Sequence, residues 1–230
     1  MNLRPSTTGF SAHAKKDPAD GALYTWGLAQ PPAIGLKVAK ISADGAVQKV
    51  VTLPLQSMEM QLCHDCAMSA EHLVFMLPPW KLPPGNMAGA LAGTSSFGHA
   101  FEWQEGVKAW LVVLKKSDLS VVHAKDIPSM STYHFAGAYE ADGKLHVLSN
   151  RLIGARRDLE RNFADMYASE WSEQSYNLLC DYTVDLTSGA LDASDPLVLP
   201  DVIHAPAVVR RCTSRAPGLT ALDPTLAFSS

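Results

Sequence analysis

The chain has 230 residues, 47% hydrophobic and 18% charged, with a formal net charge of -4 at pH 7. That is long enough for one sizeable core and too apolar for a disordered chain, and it lacks the basic footprint that nucleic acid demands. No run approaches the ~18 apolar residues of a membrane span, and Met1 to Ser6 carries no apolar stretch of signal-peptide type, so a cytoplasmic protein without a nucleic-acid partner is the expectation.

Short strands and turns follow one another from the start. Ser11-Ala12-His13-Ala14-Lys15-Lys16-Asp17-Pro18 runs into Gly21-Ala22-Leu23-Tyr24-Thr25-Trp26-Gly27, a strand-turn-strand segment with a histidine at its inner end. Leu36 to Ile41 alternates apolar with polar, Ala43-Asp44-Gly45 turns and Val47 to Val51 returns, which predicts a hairpin. A second histidine segment, Met60-Gln61-Leu62-Cys63-His64-Asp65-Cys66-Ala67-Met68, leads into the strand His72-Leu73-Val74-Phe75, with strands predicted over 58–62 and 73–77. The proline-rich Leu77 to Gly85 cannot sit in a central strand, because each proline deletes a ladder donor; it reads as a long loop that continues through small residues from Asn86 to Gly98.

The hairpin grammar then resumes. Trp110 to Leu114, the turn Lys116-Ser117-Asp118 and Val121-Val122 form one pair, and Ala141-Asp142-Gly143 joins the third histidine segment, from Tyr133-His134-Phe135 to Glu140, to Leu145 through Leu148. The only helical pattern is an insertion from Ala155 to Trp171, with Leu159, Phe163 and Met166 at helical spacing. Repeated hairpins at this spacing predict an all-β propeller or sandwich.

Four cysteines are few for a disulfide scaffold and suit a reducing compartment. The Cys63 to Cys66 spacing is half of a zinc site or a redox pair, but Cys180 and Cys212 supply no matching half and strands, not a helix N-terminus, flank it. A histidine on a strand is more often packed or solvated than a ligand. His72 and His146, alternating outward, His99 in the long loop, and His123 keep that reading, and His204 lies in a tail that no motif explains.

At His13, His64 and His134 the chain resembles the carotenoid cleavage oxygenase family, whose members include apocarotenoid and lignostilbene dioxygenases. The family carries an Ala-His-Pro-Lys-x-Asp-Pro segment, a His-Asp-Phe-Ala-x-Thr segment ahead of an apolar strand, and a Phe-His-x-x-Asn-Ala-Tyr-Glu segment. All three recur here in order, with Ala14 in place of the proline and Gly137 in place of the asparagine; Phe101-Glu102-Trp103 and Tyr182 to Gly189 resemble further family strands. The resemblance implies a partial seven-bladed β-propeller of about three to four blades with a short helical insertion over residues 1–200, and Fe(2+) held by His13, His64 and His134. It also implies an apolar passage that Trp80 and Met87 would line. A ligating histidine usually donates its other N–H to a carboxylate; the family's partners are glutamates in segments this chain mostly lacks, and Glu140 and Asp65 are the local candidates here.

The implied activity is a non-haem dioxygenase that uses O2 to cleave a conjugated C=C bond of a carotenoid, apocarotenoid or stilbene-like substrate. Neutral imidazoles leave the ion's full charge available, unlike carboxylates. Family members bind iron with four histidines, the fourth near their C-terminus, so this chain reads as an incomplete copy, poorly stable or inactive by itself. Residues 201–230 read as a divergent tail of frameshifted or truncated origin. Peripheral membrane contact would suit a greasy substrate, although no amphipathic helix supports it. Two alternatives stand beside this reading: a metal-free, inactive propeller fragment, and a propeller hydrolase or lactonase holding calcium or zinc.

Overall fold

The computed structural model describes residues 11–28, 35–53, 55–56, 60–154 and 175–193. The first sheet contains β1 (Lys15–Lys16), β2 (Leu23–Leu28), β3 (Leu36–Ile41) and β4 (Val47–Thr52), side by side in chain order and antiparallel. The chain then passes through β5 (Met60–Gln61) into the second sheet, built from β6 (Ala67–Met68), β7 (His72–Leu77), β10 (Ala109–Lys115) and β11 (Val121–Ile127) in the order β11-β10-β7-β6. Between β7 and β10 lies an excursion: β8 (Trp80–Leu82), helices α1 (Pro84–Leu91) and α2 (Phe97–Ala100), and β9 (Glu102–Trp103), with β5, β8 and β9 forming a small sheet of their own. The third sheet is β12 (Phe135–Ala141), β13 (Lys144–Gly154), β14 (Ser175–Asp185) and β15 (Leu191–Ala193), again in chain order.

The period of two along the strands explains how these sheets stack. In the second sheet Leu73, Phe75, Leu77, Val112 and Leu114 point one way and bury against Tyr24, Trp26, Leu36 and Val38 of the first. Val74, Met76, Leu111 and Val113 point the other way, against Leu145, Val147, Cys180, Tyr182 and Val184 of the third. The second sheet is therefore apolar on both faces, and five of the six residues of β7 are buried. Each such side chain contributes about 1.5–3 kcal/mol by leaving water. Trp26 meets Phe75 edge-on, with ring centroids 5.5 Å apart. Three four-stranded sheets stacked face to face, with edge strands β6 and β12 side by side, make a partial β-propeller.

Turn chemistry fixes the registers. Asp142 and Gly143 both have positive φ, 51° and 74°, which is the two-residue hairpin turn whose twist matches the strands it joins. At the far side of the sheets, polar links hold neighbouring blades together. Lys116, in the β10–β11 turn, pairs with Asp17 at 2.7 Å, both side chains buried, and donates to the carbonyls of Ser69 and Ala70. His123 Nε2 donates to the Leu186 carbonyl at 2.8 Å.

Several expectations change. The predicted loop from Leu77 to Gly98 contains a strand, a first helix and the start of a second, and His99 is helical. The prolines permit this: Pro78 and Pro79 precede the proline-free β8, and Pro84 opens α1, where a missing N–H leaves no bond unmade. Trp80, expected to line an open passage, is buried against Trp103, ring centroids 5.5 Å apart. Of the strand expected over 58–62, residues 60 and 61 form β5 while 58 and 59 lie outside the described residues, and β11 runs five residues past Val122, to Ile127. The predicted helix over 155–171, His204 and the tail from 201 lie outside the described residues. Among the described residues, no helix is long and apolar enough to cross a membrane.

Candidate metal centre

His13 lies in the turn just ahead of β1, His64 in the irregular stretch between β5 and β6, and His134 immediately before β12. Since β1, β6 and β12 are edge strands of the three blades, each blade delivers one histidine at the same end of its inner edge. Local hydrogen bonds fix the three backbones. The His13 N–H donates to Ser11 Oγ at 3.0 Å, and Ser11 N–H in turn donates to Thr25 Oγ1 at 3.1 Å. Leu62 N–H donates to the Trp80 carbonyl at 2.9 Å, steering the approach to His64. Asn150 Oδ1 accepts from both Tyr133 N–H (3.1 Å) and His134 N–H (2.7 Å).

The three imidazoles meet through one kind of atom. His64 Nε2 is 2.8 Å from His13 Nε2 and 3.1 Å from His134 Nε2, and the candidate ligand atoms all lie within 4.8 Å of one another. Ligands about 2.1 Å from a first-row ion and roughly at right angles have nitrogens about 3.0 Å apart, so the spacing suits one shared cation. Protons alone satisfy it poorly, because each Nε2 carries either one proton or one lone pair toward the common centre. Burial, followed by the nearness of His13 and His134, pushes His64 down to about 4, and burial followed by His13 also lowers His134. Both rings are thus neutral at pH 7, the form in which imidazole binds metal. Tyr133 lays its ring beside His64, centroids 4.0 Å apart, and shields that face.

The two expected carboxylates part company. Asp65 does stand behind the histidines, but among the described residues it binds Lys15 Nζ (2.7 Å), Cys66 N–H (2.8 Å) and Phe135 N–H (2.9 Å), not an imidazole. Glu140 accepts from Ser69 Oγ, Glu71 N–H (3.2 Å) and His72 Nδ1 (2.9 Å), joining β12 to the β6–β7 turn. It sits near the opposite end of β12 from His134, roughly 17 Å along a strand rising 3.3 Å per residue. Ser11, Lys15, Tyr133 and Asn150 escaped the reading of the residues; only Lys15 had a signal, as the lysine of the first family segment.

Cys63 and Cys66 take no part in a ligand cluster among the described residues, where the three histidines form the metal-binding group. Both thiols are pushed up by burial, followed for Cys63 by Asp65, which keeps them protonated. His146 stacks on Tyr139 and pairs with Asp181 at 3.3 Å, so with His72 and His123 it serves packing between strands.

A partial propeller whose blades each contribute one histidine to a common point defines a candidate metalloprotein. The family model of the retinal pigment epithelial membrane protein (RPE65) matches residues 2–217, and the chain belongs to that family, the carotenoid cleavage oxygenases. Among curated relatives, carotenoid 9,10(9',10')-cleavage dioxygenase 1 of Arabidopsis thaliana is 26% identical over 177 residues, covering 75% of this chain and 31% of the relative. The Crocus sativus carotenoid 9,10(9',10')-cleavage dioxygenase is 28% identical over 155 residues, 65% of this chain and 26% of the relative. The chain thus spans about a third or less of the relatives it matches.

Solved structures agree on the fold. Cobalt-substituted apocarotenoid oxygenase from Synechocystis superposes with a TM-score of 0.64 at 16% identity, covering 81% of this chain and 39% of that one. The lignostilbene dioxygenase of Pseudomonas brassicacearum gives 0.62 at 21% identity, covering 84% and 39%.

Proposed function

We propose that this chain supplies His13, His64 and His134 as ligands of one ferrous ion in a dioxygenase that cleaves a conjugated C=C bond of a carotenoid, apocarotenoid or stilbene-like substrate. The convergence of three Nε2 atoms from three blades carries the reading. An all-imidazole set suits iron but also zinc, copper or nickel, so iron rests on membership of the family. Ferrous iron, when bound, supplies the redox chemistry with dioxygen that divides the alkene into two carbonyl products.

The chain's own residues prepare that chemistry. His64 and His134 remain unprotonated at neutral pH and present lone pairs, so no proton has to leave before an ion enters. Tyr133 excludes water from one side of His64. The excursion from β8 to β9 departs at Leu77 and returns at Ala109, the ends of β7 and β10 that lie on the histidine side, since β6 pairs antiparallel with β7. Its helices pack on a small buried core of Leu82, Ala90 and Ala100, with Met87 and Phe101 partly buried against it, which holds the excursion together on that side. Buried free Cys66 and Cys180 suit a reducing compartment such as the cytoplasm.

Metal analysis of the purified chain, loaded anaerobically with ferrous iron, tests the assignment against His13→Ala, His64→Ala and His134→Ala. One iron per chain, lost in each variant, is expected; equal iron in the variants refutes the ligand set. Zinc or calcium in iron's place would favour the hydrolase reading, and an empty wild type the metal-free one. Oxygen-dependent formation of two carbonyl products from a polyene tests the reaction.

A further inference from the structure

We infer that Asp65 is the positioning residue of the three-histidine centre and Lys15 its partner: one buried carboxylate ties together all three ligand segments and so sets the separation of the imidazoles. This rests on the metal-centre reading above. Oδ1 accepts from Lys15 Nζ at 2.7 Å and from Cys66 N–H at 2.8 Å, and Oδ2 accepts from Phe135 N–H at 2.9 Å. Lys15 is two residues past His13, Asp65 follows His64 and Phe135 follows His134. Each ligand is therefore within two residues of an atom bound to, or belonging to, this carboxylate.

The arrangement answers a problem of the fold. The histidines precede edge strands of three different sheets, so no ladder hydrogen bond joins their segments to one another. Face-to-face apolar packing holds the blades together but is non-directional and leaves room for sliding. Charge-assisted hydrogen bonds are shorter and more directional than neutral ones, and the Asp65 side chain, 3% exposed, makes three. The acceptor is also well matched to Phe135, the first residue of β12, whose pairing with β13 is interrupted by a register shift before Gly137.

Electrostatics and positioning predict opposite signs for one substitution. Lys15 is a cation two residues past His13, with its ammonium 2.7 Å from the Asp65 carboxylate. Charge alone therefore predicts that Lys15→Met, by removing a repulsive neighbour, tightens binding of a divalent ion. Positioning predicts the reverse, since Asp65 loses the partner that holds the His13 segment. Residues behind metal ligands typically change affinity by about 10- to 100-fold.

Cobalt(II) titrated into the metal-free chain, followed by calorimetry and by its visible absorption, separates the two. Lys15→Met is expected to weaken cobalt binding by about 10- to 100-fold and alter the absorption band, with Lys15→Arg restoring both. Circular dichroism checks that the variant is folded; if it is not, Asp65→Asn, of the same shape, carries the test through the altered band. Unchanged or tighter binding with an unchanged band in Lys15→Met, or an unchanged band in Asp65→Asn, overturns the inference while leaving the metal centre standing. A wild-type chain that takes up no cobalt removes the metal centre, and this inference with it.

Discussion

Asp17→Ala should be among the most damaging single substitutions away from the histidines. All three ammonium protons of Lys116 are engaged, by Asp17 Oδ2 at 2.7 Å and by the carbonyls of Ser69 and Ala70 at 3.0 and 2.6 Å, and the Lys116 side chain is 8% exposed. Removing the carboxylate leaves a buried ammonium with two carbonyl dipoles and no counter-charge, which costs about 3–5 kcal/mol. An exposed pair would cost only about 0–1 kcal/mol. With each kcal/mol worth about 2–4 °C in a chain of this size, the midpoint should fall by roughly 6–20 °C. Urea and thermal unfolding of Asp17→Ala, Lys116→Met and the double variant give the answer. The double variant should lose far less than the sum of the two single variants, because it removes both buried charges. A loss under about 1 kcal/mol in Asp17→Ala, or additive losses, would show that water screens this pair and would refute the argument.

Other outcomes follow from the same contacts. Gly189 has φ +68°, and an added Cβ would come within 2.7 Å of His123 Nδ1, so Gly189→Ala should cost at least about 1–2 kcal/mol in urea unfolding. Burial by itself would raise the Asp17 and Glu140 carboxyls, but bonds from Lys116 and Ala19 in one case, and Ser69, His72 and Glu71 in the other, hold both below their ordinary values. Their stabilisation is complete above those ordinary values and disappears as pH falls through the lowered ones, so midpoints measured against pH should drop steeply below about pH 4. His64 has the same sign from a different cause, burial: the unfolded ring takes a proton near 6.5 and the folded ring only near 4, so the metal-free fold should lose stability as pH falls between these values, and His64→Ala should flatten that slope. Cys66, buried and with its thiol pushed up by burial, should react with a thiol reagent no faster than the chain unfolds.

The hairpins were legible from strand-length runs bounded by turn residues: β3 alternates apolar with polar, β10 is a continuous apolar run, and Asp44-Gly45 and Asp142-Gly143 close β3–β4 and β12–β13. The inner strands were harder: β1 and β6 are two residues long, too short for any periodicity, and only the family segments marked them. Prolines hid β8 and α1 because proline was read as a breaker throughout, when its position at a helix start is harmless. The ligand histidines were legible through the ordered segments that surround them. Partners behind them were not, because Asp65 gains its role from three sheets meeting, and Glu140 follows its strand away from the centre to His72. Asn150 reaches back to the His134 segment across a hairpin, a relation that no local pattern encodes.

The excursion between β7 and β10 leaves and rejoins its sheet at one rung, where Leu77 faces Trp110. Residues can be gained or lost there without moving any other rung of the ladder, provided β8 stays, because its pairing with β5 and the bond from Leu62 N–H to the Trp80 carbonyl hold the approach to His64. The stretch between β8 and β9, residues 83–101, can therefore be remodelled while the three imidazoles keep their places, and under the proposed function it is the stretch to exchange between relatives.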